Sequence, residues 1–392
     1  MAVAPQGISD SFERFVQSEK SGGILLVCAT AVALALANST VGPAYADFWQ
    51  RPVAGLRIEH WINDGLMAIF FLLVGLELER ELYSGELSEL RNALLPVFAA
   101  IGGMVAPALI HFALNTGMPT QVGFGIPMAT DIAFALAALA LLGKRVPASL
   151  KVFVVAYAVM DDLGAIVIIA AFYTATLSVA YLAAAGTVWA ILVVLNRRYR
   201  VMALAPYLIG GAVMWALMLK SGVHATIAGV ALAFAIPYSA RDEKQESPSH
   251  RLEDWLHRPV GFVILPIFAL ANTGIVVGAD WGQSVTSANS LGIIAGLLIG
   301  KPVGVTLLCV AAVAAGLCRL PAGLGWRHVV GAGVLGGIGF TMSIFITNLA
   351  FGGDAELANA SKMAILLASS AAAILGFVVL RLAGVRGPPD EG

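Results

Sequence analysis

The sequence predicts an all-α polytopic membrane protein with about twelve transmembrane helices, and three observations predict it. Of the 392 residues, 59% are hydrophobic and only 12% charged, where a soluble domain carries about 25% charged residues. The apolar residues arrive in blocks near the length that spans a bilayer, about 20 residues per helix. The basic residues fall with a strong bias on one side of those blocks, as the positive-inside rule requires.

Taken in order, residues 1–20 (MAVAPQGISDSFERFVQSEK) mix both charges and lack the basic lead of a signal peptide, so they read as a short, surface-lying amphipathic N-terminal segment. Apolar segments follow at roughly 21–37, 61–78, 94–113, 122–142, 149–172, 178–195, 203–219, 222–237, 256–277, 288–310, 329–350 and 361–382. Several of them are interrupted by Gly and Pro. The longest connection on one side is 39–60, and the longest on the other is 239–258 (SARDEKQESPSHRLEDWLHR), dense in titratable groups. A tail covers 383–392. No break in composition separates a soluble domain, so residues 21–382 form one transmembrane domain.

An even segment count puts both termini on one side. With that side cytoplasmic, 18 basic residues lie there, from Arg14 and Lys20 through Lys144, Arg145 and Lys151 to Arg381 and Arg386. Four lie opposite, Arg51, Arg57, Lys220 and Lys362, and Lys301 sits within a segment. The three cysteines, Cys28, Cys309 and Cys318, lie in or beside apolar blocks and suggest neither a disulfide framework nor a zinc site. A net charge of −1 with six scattered histidines points to no nucleic-acid partner. The bilayer is the partner that composition demands, and no obligate protein partner is evident.

Four ionisable residues lie well inside apolar segments: Asp131, Asp161, Asp162 and Lys301. Each costs about 2.5–3.5 kcal/mol at the bilayer centre, so the four unpaired would be unfavourable by roughly 10–14 kcal/mol. Asp161 and Asp162 are adjacent in AYAVMDDLGAIVII. Helical neighbours point about 100° apart, so one can face a solvated cavity while the other turns toward a partner. Two carboxylates this close in low dielectric resist being ionised together, and they titrate as a pair. A carboxylate there holds a proton or a cation but not both, which is the minimal chemistry of an exchanger. Lys301, in LLIGKPVG, is the available counter-charge, either as a structural salt bridge or as a proton carrier.

Asp131 follows Gly123, Gly125 and Pro127 in GFGIPMATDIAFAL, and Gly336, Gly337 and Gly339 precede Thr341 and Ser343 in VLGGIGFTMSIF. Both stretches predict interrupted helices, in the fourth and eleventh segments. Irregular backbone at that depth survives only beside protein or a water-filled cavity. Each lies in the middle of a three-segment group, 94–172 and 288–382. Half-helix ends would aim partial charges at the midplane, with Asp131 and Lys301 to balance them. Backbone oxygens, hydroxyls and carboxylates together suit a hard cation.

Six stretches make the reading specific: WINDGLMAIFFLLVGLELERE (61–81), ATDIAFAL (129–136), DDLGAIVIIA (161–170), SGVHATIAGV (221–230), IIAGLLIGKPVG (293–304) and GIGFTMSIFI (337–346). In this order they resemble the NhaA family of bacterial Na+/H+ antiporters, over nearly the whole chain. The resemblance implies inverted-topology repeats with two broken, crossing helices. It implies a secondary active transporter, not an enzyme, in the bacterial inner membrane. The transport is electrogenic extrusion of Na+ or Li+ against entering protons, with no ATP or redox cofactor. It further implies that Asp161 and Asp162 bind cation and proton, Asp162 being the direct ligand and Asp161 the partner of Lys301. Thr130 and Asp131 would sit at the helix crossing. By the same resemblance Glu77, Arg80, Glu81, Glu253 and His257 belong to a pH-sensing funnel. Asp254 stands in that region where the family has a histidine, and His250 where it has a lysine. The resemblance also implies a homodimer held by a hairpin in the 39–60 connection, which is shorter here by several residues. His224 reads as a packed structural histidine, and Asn63 and Asp64 as caps of the second segment.

Two other readings compete. One is an antiporter of another monovalent cation such as K+. The other is an intramembrane aspartyl protease, which needs aspartates on separate facing helices and a GxGD motif that this sequence lacks.

Overall fold

The computed structural model describes residues 10–85, 90–174, 177–239, 247–278 and 281–384. Most of the 383–392 tail, residues 1–9, and Arg241 and Lys244 of the polar connection therefore lie outside the described residues. The chain is helical nearly throughout. In order come α1 (Asp10–Ala37), α2 (Gly42–Gln50), α3 (Ile58–Tyr83) and α4 (Leu90–Leu114). A 3-10 helix (Pro119–Met128) then precedes α5 (Ile132–Leu142), α6 (Ala148–Phe172), α7 (Val179–Arg197), α8 (Ala205–Ser221) and α9 (Ile227–Ala233). Next are α10 (Pro248–Asn272), α11 (Trp281–Thr286) and α12 (Ala288–Ala314). The chain ends in α13 (Trp326–Gly336), α14 (Phe340–Phe351) and α15 (Ala355–Ala383).

Two expectations change. Among the described residues, eight helices are long and apolar enough to cross a membrane, or ten if each of two bent pairs is one span, rather than twelve. The seventh and eighth expected spans fall short: α8 has 17 residues and α9 only seven. Their apolar stretches run through Gly222 in the left-handed region and a turn at His224–Thr226, features that a hydropathy window does not register. The N-terminal segment is not a separate element from Asp10 onward, because α1 runs unbroken from Asp10 to Ala37. The 39–60 connection keeps a small antiparallel hairpin, Pro52–Val53 with Leu56–Arg57, as the resemblance implies. Its two turn residues, Ala54 and Gly55, have φ of 49° and 88°, the pattern of a type I′ turn that suits hairpin twist.

The two three-segment groups are alike in order: a long helix, a broken helix, a long helix. Their first members, α4 and α12, run antiparallel. Asn115 after the end of α4 donates to Ala288 O at the start of α12 at 3.2 Å. At the far end the Cys309 thiol lies 3.9 Å from Leu95 O. Gly102 and Gly304 meet where these helices cross, and a Cβ on either would strike the other's backbone. This close approach sets Lys301 against the core rather than lipid, and its side chain is fully buried.

Candidate functional site

Local sequence breaks both central helices. The 3-10 turn ends at Met128, and Ala129 takes an extended conformation at φ −83° and ψ 149°. Gly125 and Pro127 lie inside that 3-10 helix, so the interruption falls just after them, on Ala129–Asp131. The other interruption falls on Gly337–Gly339, where α13 and α14 meet at a 44° bend.

The breaks touch. The Asp131 N–H donates to Ile338 O at 2.6 Å, and the Thr130 hydroxyl donates to Gly336 O at 2.9 Å. The Asp131 carboxylate then serves two helix starts at once. Its Oδ1 accepts from Phe134 N at 3.1 Å, capping α5, while Oδ2 accepts from Thr341 N at 3.0 Å and from the Thr341 hydroxyl, capping α14. Both are N-termini, where a negative charge is favourable.

Helix α6 divides the adjacent pair. Asp161 and Lys301, both without solvent exposure, are 2.6 Å apart from Oδ2 to Nζ. Lys301 also donates to Thr130 Oγ1 at 2.9 Å. Asp162 lies on a different side of the helix and lines a narrow cavity of about 60 Å³ with Thr130, Asp131, Thr341, Glu77 and His257. Its Oδ1 is buried and has no hydrogen-bond partner among the described residues. Asp161 Oδ1 is likewise buried and unpartnered. A desolvated carboxylate oxygen with no donor is expensive to keep unless a proton or cation comes to it.

The cavity leads to the end of the bundle where α1 starts and α3 finishes. There His257 Nδ1 lies 3.8 Å from Glu77, and Arg80 bonds both Glu253 and, at 3.3 Å, Glu81. These five sequence-predicted residues come together between α3 and α10. Asp254 stands apart on the exposed face of α10. His250 bonds Ser247 Oγ at 2.7 Å and packs its ring against Tyr238. Glu79, which sequence reasoning passed over, is buried here and accepts from Ser249 Oγ at 3.0 Å. Its position among three other charges in LELERE disguised it as a solvated helix end.

On the opposite side of the site, three buried rings, Phe71, Phe268 and Phe345, pack together. Beyond them runs a chain of amides: Asn348 donates to Asn272 Oδ1 at 2.6 Å, and Asn272 to Asn63 Oδ1 at 2.8 Å. Asn63 and Asp64 are therefore not caps; they lie inside a π-turn, Trp61–Leu66. His224 bonds the Tyr173 carbonyl at 2.8 Å. Lys362, counted from sequence among the basic residues opposite the cytoplasmic side, sits two turns into α15 and is 9% exposed. Tyr157, also missed, reaches Thr130 from one turn before Asp161.

Among the described residues no group of three or more His, Cys, Asp or Glu side chains could hold a metal ion as a resident centre. A cation entering the cavity would meet carboxylate, hydroxyl and backbone oxygens, the donor set of a hard ion.

Comparison with known proteins agrees with this chemistry. A family model described as Na+/H+ antiporter 1 matches residues 13–380. The chain is 66% identical over 380 residues to the Na+/H+ antiporter NhaA of Dechloromonas aromatica, covering 97% of this chain and 98% of that one. It is 56% identical over 375 residues to the NhaA of Cytophaga hutchinsonii, covering 96% of each. It is 56% identical over 374 residues to NhaA 1 of Flavobacterium johnsoniae, with 95% and 97% covered.

Proposed function

Because the chain belongs to the NhaA family of Na+/H+ antiporters and exchanges Na+ for protons across a membrane, we propose that Asp162 is its direct cation ligand and that Asp161 with Lys301 carries the countermoving proton. The observation that carries this reading is the contrast between the two neighbours. Asp161 is committed to an ammonium 2.6 Å away, whereas Asp162 points an unpartnered oxygen at a cavity. A cation displaces the proton from Asp162, and the ammonium beside Asp161 keeps that carboxylate charged until the site turns over.

Asp131 supports the site by fixing both half-helices rather than by ligation, since both its oxygens already accept bonds. Thr130 joins it to Lys301. The exchange is electrogenic, accepts Li+ as well as Na+, and needs no cofactor. The protein lies in the bacterial inner membrane with both termini cytoplasmic, so the cavity faces the cytoplasm. Its mouth carries the ion pairs of Glu77, Arg80, Glu81, Glu253 and His257, which regulate entry by pH. The His257–Glu77 contact is an ion pair only when the imidazole is protonated. The hairpin at 52–57 is the surface through which two copies would pair.

Everted vesicles with an imposed proton gradient and a ΔpH-sensitive dye test this reading. Na+ or Li+ should dissipate the gradient, and Asp162→Asn should abolish the response while the protein still inserts. An unaffected Asp162→Asn variant would sink the assignment of the ligand. Equal dissipation by K+ would sink the assignment of the ion. Repeating the assay over about pH 6–8, within the range in which histidine changes charge, should show activity rising with pH. A flat profile would remove the regulatory role alone.

A further inference from the structure

We propose that Tyr157 is a positioning residue for this exchange: its phenol donates to Thr130 Oγ1 and so fixes Thr130 as the acceptor that holds Lys301. The proposal rests on the reading of Asp161 and Lys301 as the proton-carrying pair.

Proton bookkeeping at one oxygen carries it. Thr130 Oγ1 has as neighbours Lys301 Nζ at 2.9 Å, Gly336 O at 2.9 Å and Tyr157 OH at 3.3 Å, and it also hydrogen-bonds the Asp161 carboxylate. An ammonium can only donate and a carbonyl can only accept. The single hydroxyl proton of Thr130 therefore goes to an acceptor, Gly336 O or the Asp161 carboxylate, and its oxygen accepts from Lys301. Only a lone pair remains for Tyr157, so the phenol is the donor. With that donor in place, Thr130 cannot rotate its proton toward Tyr157 and release that acceptor. The same contact thus holds the ammonium beside the backbone at the end of α13, where the broken helix begins.

The placement is specific to the hydroxyl. Tyr157 precedes Asp161 by four residues, one helical turn, so both project from the same face of α6. Its side chain is fully buried. A Cβ on Gly103 would come within 3.0 Å of the phenol oxygen, and one on Gly336 would collide with it. Those two glycines enclose the oxygen without offering it any side-chain partner. Lys301 Nζ also lies 5.9 Å from the Tyr157 ring centroid, near the outer limit of a cation–π contact. Asp162 has no hydrogen bond to this network among the described residues, so cation binding and ammonium positioning are separable.

The test is transport kinetics of reconstituted full-length protein, with turnover per protein and apparent Na+ KM measured separately. Tyr157→Phe deletes only the donor. It should lower kcat about three- to tenfold, the range for one hydrogen bond, with the Na+ KM within about twofold of wild type. Tyr157→Met, which fills similar space with a flexible apolar chain, should show the same split. It serves in place of the first should that variant not fold. A KM increase with kcat unchanged, a change in both, or no change in either overturns the proposal. Asp162→Asn run in parallel keeps the outcomes distinct. If it abolishes exchange while Tyr157→Phe behaves as wild type, the positioning role fails alone. If it too retains exchange, the underlying site reading fails.

Discussion

Lys301 and Asp161 form an ion pair 2.6 Å long with neither side chain exposed to solvent. The pair has little redundancy: Asp161 Oδ1 is buried without a close partner among the described residues, and beside Lys301 the Asp161 carboxylate is supported by Thr130. Breaking a buried pair from one side leaves an uncompensated charge and is unfavourable by about 3–5 kcal/mol.

Lys301→Met should therefore lower thermal stability in detergent markedly. Removing both charges together, as Asp161→Asn with Lys301→Met, should recover most of that loss, since a neutral pair needs no counter-ion. Exchange should be absent or severely reduced in both. A double variant that melts as low as the single one would show that the instability comes from packing and not from charge.

Asp131 bridges the first turns of α5 and α14 with one carboxylate. Each cap is worth about 1 kcal/mol. Asp131→Ala should then lose about 2 kcal/mol and misalign the two breaks. Asp131→Asn keeps a single acceptor oxygen and should lose about half as much. Melting temperatures of the two variants check the order, and equal losses would deny the double cap.

Some of this site was legible in sequence because charge in an apolar helix is rare. Asp131, Asp161, Asp162 and Lys301 each announce themselves against leucines and alanines, and Gly336–Gly339 announces a break. What joins them was not legible. Asp131 meets Thr341 across 210 positions of sequence, and no spacing rule spans that distance. Neutral polar residues were harder still. Tyr157, Asn272 and Asn348 carry no charge and sit in apolar runs, where a hydropathy reading absorbs them. The fold shows the same division. Helix type followed from composition, but the length of α9 did not, because apolar character continues past the point where the helix stops. Glu79 was lost the opposite way, since three charged neighbours made a buried carboxylate look like a solvated end.

The α4–α12 crossing makes the last prediction, because it decides whether Lys301 can reach Asp161 at all. A Cβ on Gly304 would lie 2.6 Å from the Cβ of Ala106 and would strike the Gly102 carbonyl. Backbone cannot yield as a side-chain tip can, so Gly304→Ala must push the two helices apart. Overpacking of this kind is unfavourable by about 1–3 kcal/mol. Lys301 lies one turn before Gly304 on the displaced helix, and a shift of a few tenths of an ångström lengthens its bonds to Asp161 and Thr130. Gly304→Ala should thus lower both melting temperature and exchange rate. Gly186, within α7, is the control: a Cβ there meets nothing within 4 Å. Gly186→Ala removes a flexible residue from a helix interior and should leave exchange unchanged, with stability equal or higher by about 0.5–1 kcal/mol. If both substitutions act alike, helix propensity rather than the crossing governs the site. If Gly304→Ala alone slows exchange, the seam between the two first helices sets the geometry of the ion pair.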